Sequence, residues 1–229
     1  MSLVRPSGQG RHPAFLDTQG ADRQELGTTT SKRAMARPLS EEKRDALLVA
    51  ARAGVATSGV KAATAHIARE AGVAEGTLFV FFETKDALFN ELFLSLKSDL
   101  ADYIDRDLPR NAAPIRQIRH MWDRYIDSGI AQAEHRAALR QLNVSDRISA
   151  ATREAGNARY LEFASIYEQG FATGLLRKQP LEFLGRVINA IAEAVQDAIA
   201  ADPASEKRIR RLGWEALRNA IAAKEASGS

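Results

Sequence analysis

Apolar residues recur at intervals of three and four from Leu47 to Ile221, and nowhere do they alternate with the period of two that a half-buried strand requires. Leu47, Leu48, Ala51 and Val55 form a first stripe. Ser40 stands ahead of it as a capping hydroxyl, and Glu41 and Glu42 in the first turn suit the positive end of a helix dipole. The spacing predicts a helix from Ser40 to about Ala56. Ile67, Ala68 and Ala71 mark a short second helix that stops where Gly72 tolerates a left-handed backbone and Val73 drops an apolar side chain beneath the bend. Leu78 and Phe82 mark a third, and leave Glu75, Gly76, Thr77 and Val80 facing away from the core. After Thr84, a longer stripe of Leu88, Leu92, Leu96 and Leu100, widened by Phe89 and Phe93, predicts a helix to about Asp107.

The pattern continues to the end of the chain. Pro109 and Pro114 interrupt it, and a helix from about Ile115 carries Ile118, Trp122, Tyr125 and Ile126 inward before Gly129. A short helix follows over Gln132 to Leu142. A single long helix is expected from about Asp146 to Ala172, on Ile148, Tyr160, Phe163, Ile166, Tyr167 and Phe171. Pro180 and Pro203 introduce two strongly amphipathic helices, about 181–200 and 204–223, the first with Leu184, Ile188, Ile191, Val195 and Ile199 as a broad apolar face. The fold class is therefore all-α.

The second and third helices have the layout of a helix-turn-helix. Ala68 and Ala71 are small where two helices cross steeply, Gly72 has no side chain at the turn, and the exposed start of the third helix is free to enter a major groove. An αα-hairpin that merely completes a core would share the Ala-Gly-Val turn; the agreement of the whole neighbourhood favours the first reading.

Composition narrows the function more than the fold. A net charge of +3 in 229 residues permits contact with nucleic acid, yet opposite charges are nearly balanced and no long basic run appears. There is no cysteine, which excludes disulfides and thiolate-held metals. No apolar run approaches the roughly 20 residues that span a bilayer, so no membrane partner is expected and the chain reads as a soluble cytoplasmic protein. Residues 1–39 are rich in Gly, Pro, Ser and Thr and read as a disordered arm, whose Lys32, Arg33 and Arg37 could lie along phosphates or stay solvated. His66, His120 and His135 are too dispersed for a metal site, and no nucleophile and base share a local context, so neither cofactor nor enzymatic activity is expected.

The segment from about Arg44 to Leu92 resembles the tetracycline-repressor-like (TetR) family. Its signature is present in order and spacing as Ile67-Ala68, Ala71-Gly72-Val73, Gly76-Thr77-Leu78-Phe79, Phe82, Lys85-Asp86 and Leu88. The resemblance implies a three-helix DNA-binding head over residues 40–88 and a helical body over 89–229 that holds a small ligand and pairs two chains. Family members touch DNA through a hydroxyl near the start of the second helix, the residues opening the third, a Tyr, a following His or Tyr, and a Lys at the start of the fourth. Those positions are here Thr64, then Glu75, Gly76 and Thr77, then Phe79, Phe81 and Lys85. Lys85 would meet phosphate beside free backbone N–H groups, Thr77 a thymine methyl or a base acceptor, and Glu75 a cytosine amine or only its own helix end.

Four positions depart from the pattern. Ala63 and Ala74 replace customary hydroxyls, one of them a helix cap worth about 1 kcal/mol. Phe79 and Phe81 replace residues that donate hydrogen bonds to phosphate. In the body, Phe93, Met121, Trp122, Tyr125, Tyr160, Phe163 and Tyr167 are the candidates for an apolar effector pocket, or are plain core. Residues 181–223 resemble the family's dimerisation pair. The expectation is a homodimeric, ligand-responsive repressor on a palindromic double-stranded DNA operator. Two alternatives stay open: a helical ligand-binding protein or enzyme that has lost DNA binding, and an interaction module built on the last two helices.

Overall fold

The computed structural model describes residues 29–223, with side chains from Ser40 onward. The chain divides into two units, Met1–Leu39 and Ser40–Ser229. Most of the expected arm, and the side chains of Lys32, Arg33 and Arg37, lie outside the described residues. Helix α1 is assigned over Thr29–Ser58, so its start is not the Ser40 cap. The physical reason is the run Ser31 to Arg37, whose Lys, Arg, Ala and Met residues are good helix formers.

In the second unit, α1 is followed by a 3-10 turn at Gly59–Lys61 and then by α2 (Thr64–Glu70), α3 (Glu75–Phe81) and α4 (Lys85–Asp105). Leu47, Ala51, Val55, Ile67, Ala68, Leu78, Phe82, Leu88 and Phe89 are at most 2 % exposed and form the core of the head. These are the stripe positions of the four helices, brought together because each stripe has no other way out of water.

The body adds α5 (Pro114–Ala131), α6 (Ala133–Asn143), α7 (Ala150–Leu161), α8 (Ala164–Ala172), α9 (Leu181–Ala201) and α10 (Glu206–Ile221). α4 belongs to both halves: it packs against α5, α6 and α7, while α5 packs on α8 and α9, and α9 on α10. Glycines set the closest approaches. A Cβ on Gly213 of α10 would stand 2.3 Å from Val195 Cγ2 of α9, and one on Gly129 of α5 would stand 2.0 Å from the Gln196 amide. Gln196 is buried there and donates to the Tyr125 carbonyl at 2.9 Å.

Two expectations are corrected. The single helix over 146–172 is two helices. It starts at Ala150, where the Ser149 hydroxyl accepts from the Thr152 N–H at 3.0 Å. It breaks after Leu161, where Glu162 and Phe163 donate to the carbonyls three residues back, and this tighter turn swings Phe163 into the core while Leu161 stays outside. Nor is the expected apolar face of α9 free: Leu184, Val195 and Ile199 are 1 %, 5 % and 3 % exposed, packed within their own chain. The apolar residues left outside on these two helices include Phe183 and Leu212. Among the described residues the only β geometry is an isolated bridge between Leu176 and Ala222, and no helix is long and apolar enough to cross a membrane.

Candidate nucleic-acid interface

The bend between α2 and α3 is a Schellman motif. Gly72 takes a φ of 70°, Val73 N–H bonds the Ala68 carbonyl at 2.9 Å, and Gly72 N–H bonds the Arg69 carbonyl at 3.0 Å. Three residues later α3 begins. Any residue with a Cβ at position 72 would be strained, so the glycine fixes the angle at which the third helix leaves the second.

With alanine at both N-caps, neither α2 nor α3 has a side-chain cap. The two helix starts are joined instead: the Thr64 hydroxyl donates to Glu75 Oε1 at 2.6 Å. Two of the residues assigned to DNA thus hold each other, and the Glu75 carboxylate sits in the first turn of α3, where the dipole favours it. This pairing joins residues eleven apart and has no signature in the local pattern.

The opening turn of α3 is uncovered. Glu75 and Gly76 are exposed, and a Cβ on Gly76 would meet nothing within 4 Å. Phe79 is 42 % and Val80 81 % exposed, large values for apolar side chains on a folded head. Thr77 is half-buried, and Phe81 is half-buried against the core rather than free on the surface. On the flank of α2, His66 is exposed and its Nδ1 lies 2.6 Å from the Arg69 guanidinium.

Lys85 opens α4, after Thr84 has capped it by accepting from the Ala87 N–H at 3.0 Å. Its ammonium lies 5.3 Å from the centre of the Phe89 ring. Partial burial, then the nearby Arg147 charge, hold its pKa below the ordinary lysine range, against the opposing pull of Asp86. Arg147 comes from the loop between α6 and α7 and pairs with Asp86 at 2.6 Å. Asn90 ties that loop down: its Nδ2 donates to the carbonyls of Asp86 and Arg147 at 2.6 and 2.8 Å, and its Oδ1 accepts from Ser149 N–H at 2.9 Å. The first turn of α4 therefore carries two neighbouring cations, one from the head and one from the body. Arg147 was not foreseeable, since 61 residues separate it from its partner.

The aromatic candidates of the body are packed. Phe93, Met121, Trp122 and Phe163 are no more than 7 % exposed, and burial pushes the phenols of Tyr125, Tyr160 and Tyr167 up. Tyr160 and Phe163 meet edge to face at 6.2 Å. Tyr125 donates to the Asn189 amide oxygen and lines a cavity of about 30 Å³, room for a single water. Lys97 stands among these rings, 4.5 Å from Tyr160 and 5.8 Å from Phe93, with its pKa lowered by burial to about 8. A lysine on the helix that bears Phe93 was invisible as a pocket residue until the ring of α7 closed over it.

Comparison with known proteins agrees with this geometry. Residues 47–92 match the family model described as bacterial regulatory proteins, tetR family. The chain is similar to the crystal structure of a tetR family transcription regulator from Shewanella sp. PV-4, with 26 % identity, a TM-score of 0.74, and coverage of 80 % of this chain and 99 % of that one. A TetR family transcription regulator from Marinobacter aquaeolei VT8 gives 21 % identity and a TM-score of 0.71, over 82 % of this chain and all of that one. The transcriptional regulator FadR from Bacillus subtilis, solved in complex with stearoyl-CoA, gives 15 % identity and a TM-score of 0.61, over 79 % and 98 %. A head matched by the family's own model and a fold shared along four-fifths of the chain make this protein a TetR family transcription regulator.

Proposed function

We propose that the protein is a ligand-responsive repressor that binds a palindromic operator as a homodimer, in the cytoplasm, with residues 40–88 as its DNA-binding part and 89–229 as its effector and dimerisation part. The observation that carries this reading is the uncovered side of α3, with Glu75, Gly76, Phe79 and Val80 presented to solvent beside the cationic start of α4.

The side chains also say what kind of half-site would be read. α3 has no Arg, Lys, Asn or Gln, the residues that recognise guanine and adenine by paired hydrogen bonds. What it offers is two exposed apolar groups, a glycine that lets the backbone come close, Thr77, and a carboxylate with one oxygen held by Thr64. Such a surface suits thymine methyl groups, with Glu75 available to a cytosine amine. Lys85 supplies the phosphate contact, and Phe81, turned toward the core, acts by packing.

Dimerisation through 181–223 is supported by Phe183 and Leu212, exposed on the two most amphipathic helices. For the effector, the stearoyl-CoA of the Bacillus relative and the apolar surroundings of Phe93, Met121, Trp122, Tyr125, Tyr160, Phe163 and Tyr167 favour a largely apolar molecule, with Lys97 as a charged handle.

Selection of duplexes from random DNA tests the reading. The expected product is an inverted repeat, bound by a dimer, whose affinity falls about fourfold for each contacted thymine replaced by uracil, the loss of one buried methyl. A second reading, a helical binding protein without a DNA role, is favoured by the two uncapped helix starts. Failure to enrich any palindrome, with residual binding indifferent to Lys85→Ala, would decide for it.

A further inference from the structure

A second concave surface lies away from both the interface and the aromatic cluster. It is a cleft of about 460 Å³ where α1, the end of α4 and the start of α6 meet, walled by Arg52, Asp99, Asp102, Tyr103, Gln132 and His135. Its volume falls in the range of small-molecule sites, and its lining is mostly polar.

His135 gives the cleft its chemistry. The residue is 5 % exposed, and its ring is hydrogen-bonded to the Leu96 carbonyl. A carbonyl only accepts, so the nitrogen facing it carries the proton. Burial holds the ring below its ordinary pKa, against the charge of Asp99 and the Leu96 bond, so the ring is neutral and its other nitrogen presents a lone pair. That nitrogen, Nε2, is fully buried and has no partner. A buried acceptor without a donor is a cost that a bound donor would remove.

The charges around it are unevenly matched. Arg52 is held by Glu134 at 2.7 Å, and Asp102 by Arg159. Arg106, at the mouth, lies over the Tyr103 ring at 5.6 Å. Asp99 makes no ion pair among the described residues, and its charge faces His135. The cleft thus presents one uncompensated carboxylate and one imidazole lone pair, two acceptors and no free donor between them. Among the described residues no three His, Cys, Asp or Glu side chains converge as a metal site would need.

We propose that this cleft binds a small primary amine as its ammonium ion, with Asp99 as the counter-charge and His135 Nε2 as the second acceptor. The ligand would touch α1 of the head together with α4 and α6 of the body. The site is independent of the DNA reading and of the apolar effector region, so its test needs neither.

The test is calorimetric titration of the full chain with n-butylamine, 1,4-diaminobutane and ethanolamine, with n-butanol and butyrate as controls. The His135 ring nitrogens are followed in parallel by ¹⁵N NMR. At least one amine should bind saturably and shift the Nε2 resonance, the controls should not, and Asp99→Asn should weaken binding at least tenfold. Asp99 is exposed, so that variant keeps the fold even where a His135→Gln chain does not. No saturable amine binding, equal affinity in Asp99→Asn, or an Nε2 resonance unmoved at saturation, as when water alone fills the place, would overturn the proposal.

Discussion

The head and the body of this molecule are both helical, but they are held together by different means. In the head, α1 to α3 are joined by a turn and a bend, and what fixes their angles is local: the left-handed Gly72, the Val73 bond back to Ala68, and a core of residues less than 50 positions apart. In the body, the helices meet through contacts between residues 60 or more apart, such as Tyr125 with Asn189 and Gln196 with Tyr125, and through glycines that let two backbones nearly touch. The head can therefore be specified by a short signature. The body can change almost every residue, provided that its volumes still match.

Experiments that remove volume, add it, or shift charge sharpen that contrast. The largest effect is expected for Phe82→Ala, which empties a fully buried ring position shared by α1, α3 and α4. Chemical denaturation should show a loss of about 3–5 kcal/mol, with DNA binding lost in step. Gly213→Ala is the corresponding insult to the body. Its new Cβ would fall 2.3 Å from Val195 and 3.2 Å from Trp122, and a loss of about 1–3 kcal/mol is expected, accompanied by weaker dimerisation in sedimentation experiments. If the two variants melted with the same profile by probes placed in head and body, the contrast would fail.

Lys85→Ala comes next. Binding to the selected operator should weaken about tenfold per protomer, uniformly across sequences, and the slope of log affinity against log salt should fall by about 1, without a change in stability beyond a few tenths of a kcal/mol. The smallest effect belongs to Lys97. Its folded-state pKa, near 8, lies below the ordinary 10.5, so between those values the unfolded chain binds more protons than the folded one and stability rises with pH. Urea denaturation at pH 7.5 and pH 10 should show this rise, and Lys97→Met should flatten it.

The same contrast explains what could be read from the chain alone. The start of α3 at Glu75, the stop of α2 before Gly72 and the positions of α9 and α10 follow from spacing and from Gly and Pro, and all stand where the pattern puts them. The start of α1 did not, because a capping serine gives no sign when good helix formers precede it. The break between α7 and α8 was hidden because Tyr160, Phe163 and Tyr167 keep helical spacing across it, and only the tightened backbone bonds at Glu162 and Phe163 reveal the turn. Which stripe residues of α9 face inward was equally hidden: Leu184 and Phe183 are neighbours of similar hydrophobicity, and the packing of α5 and α10 alone buries one and leaves the other outside. For the site, residue types and order were legible, but partnerships were not. Thr64 with Glu75, and Arg147 with Asp86, depend on how the chain returns on itself.

Asn90 carries a mechanical implication. One amide grips the carbonyl of Asp86 on its own helix and both ends of the Arg147–Ser149 segment across from it. That segment cannot lift from α4 by itself; it must either part three hydrogen bonds or drag the first turn along. Lys85 sits in that turn. A grip on the double helix would then be geared to the far half of the molecule through a single side chain, as a latch is to its handle.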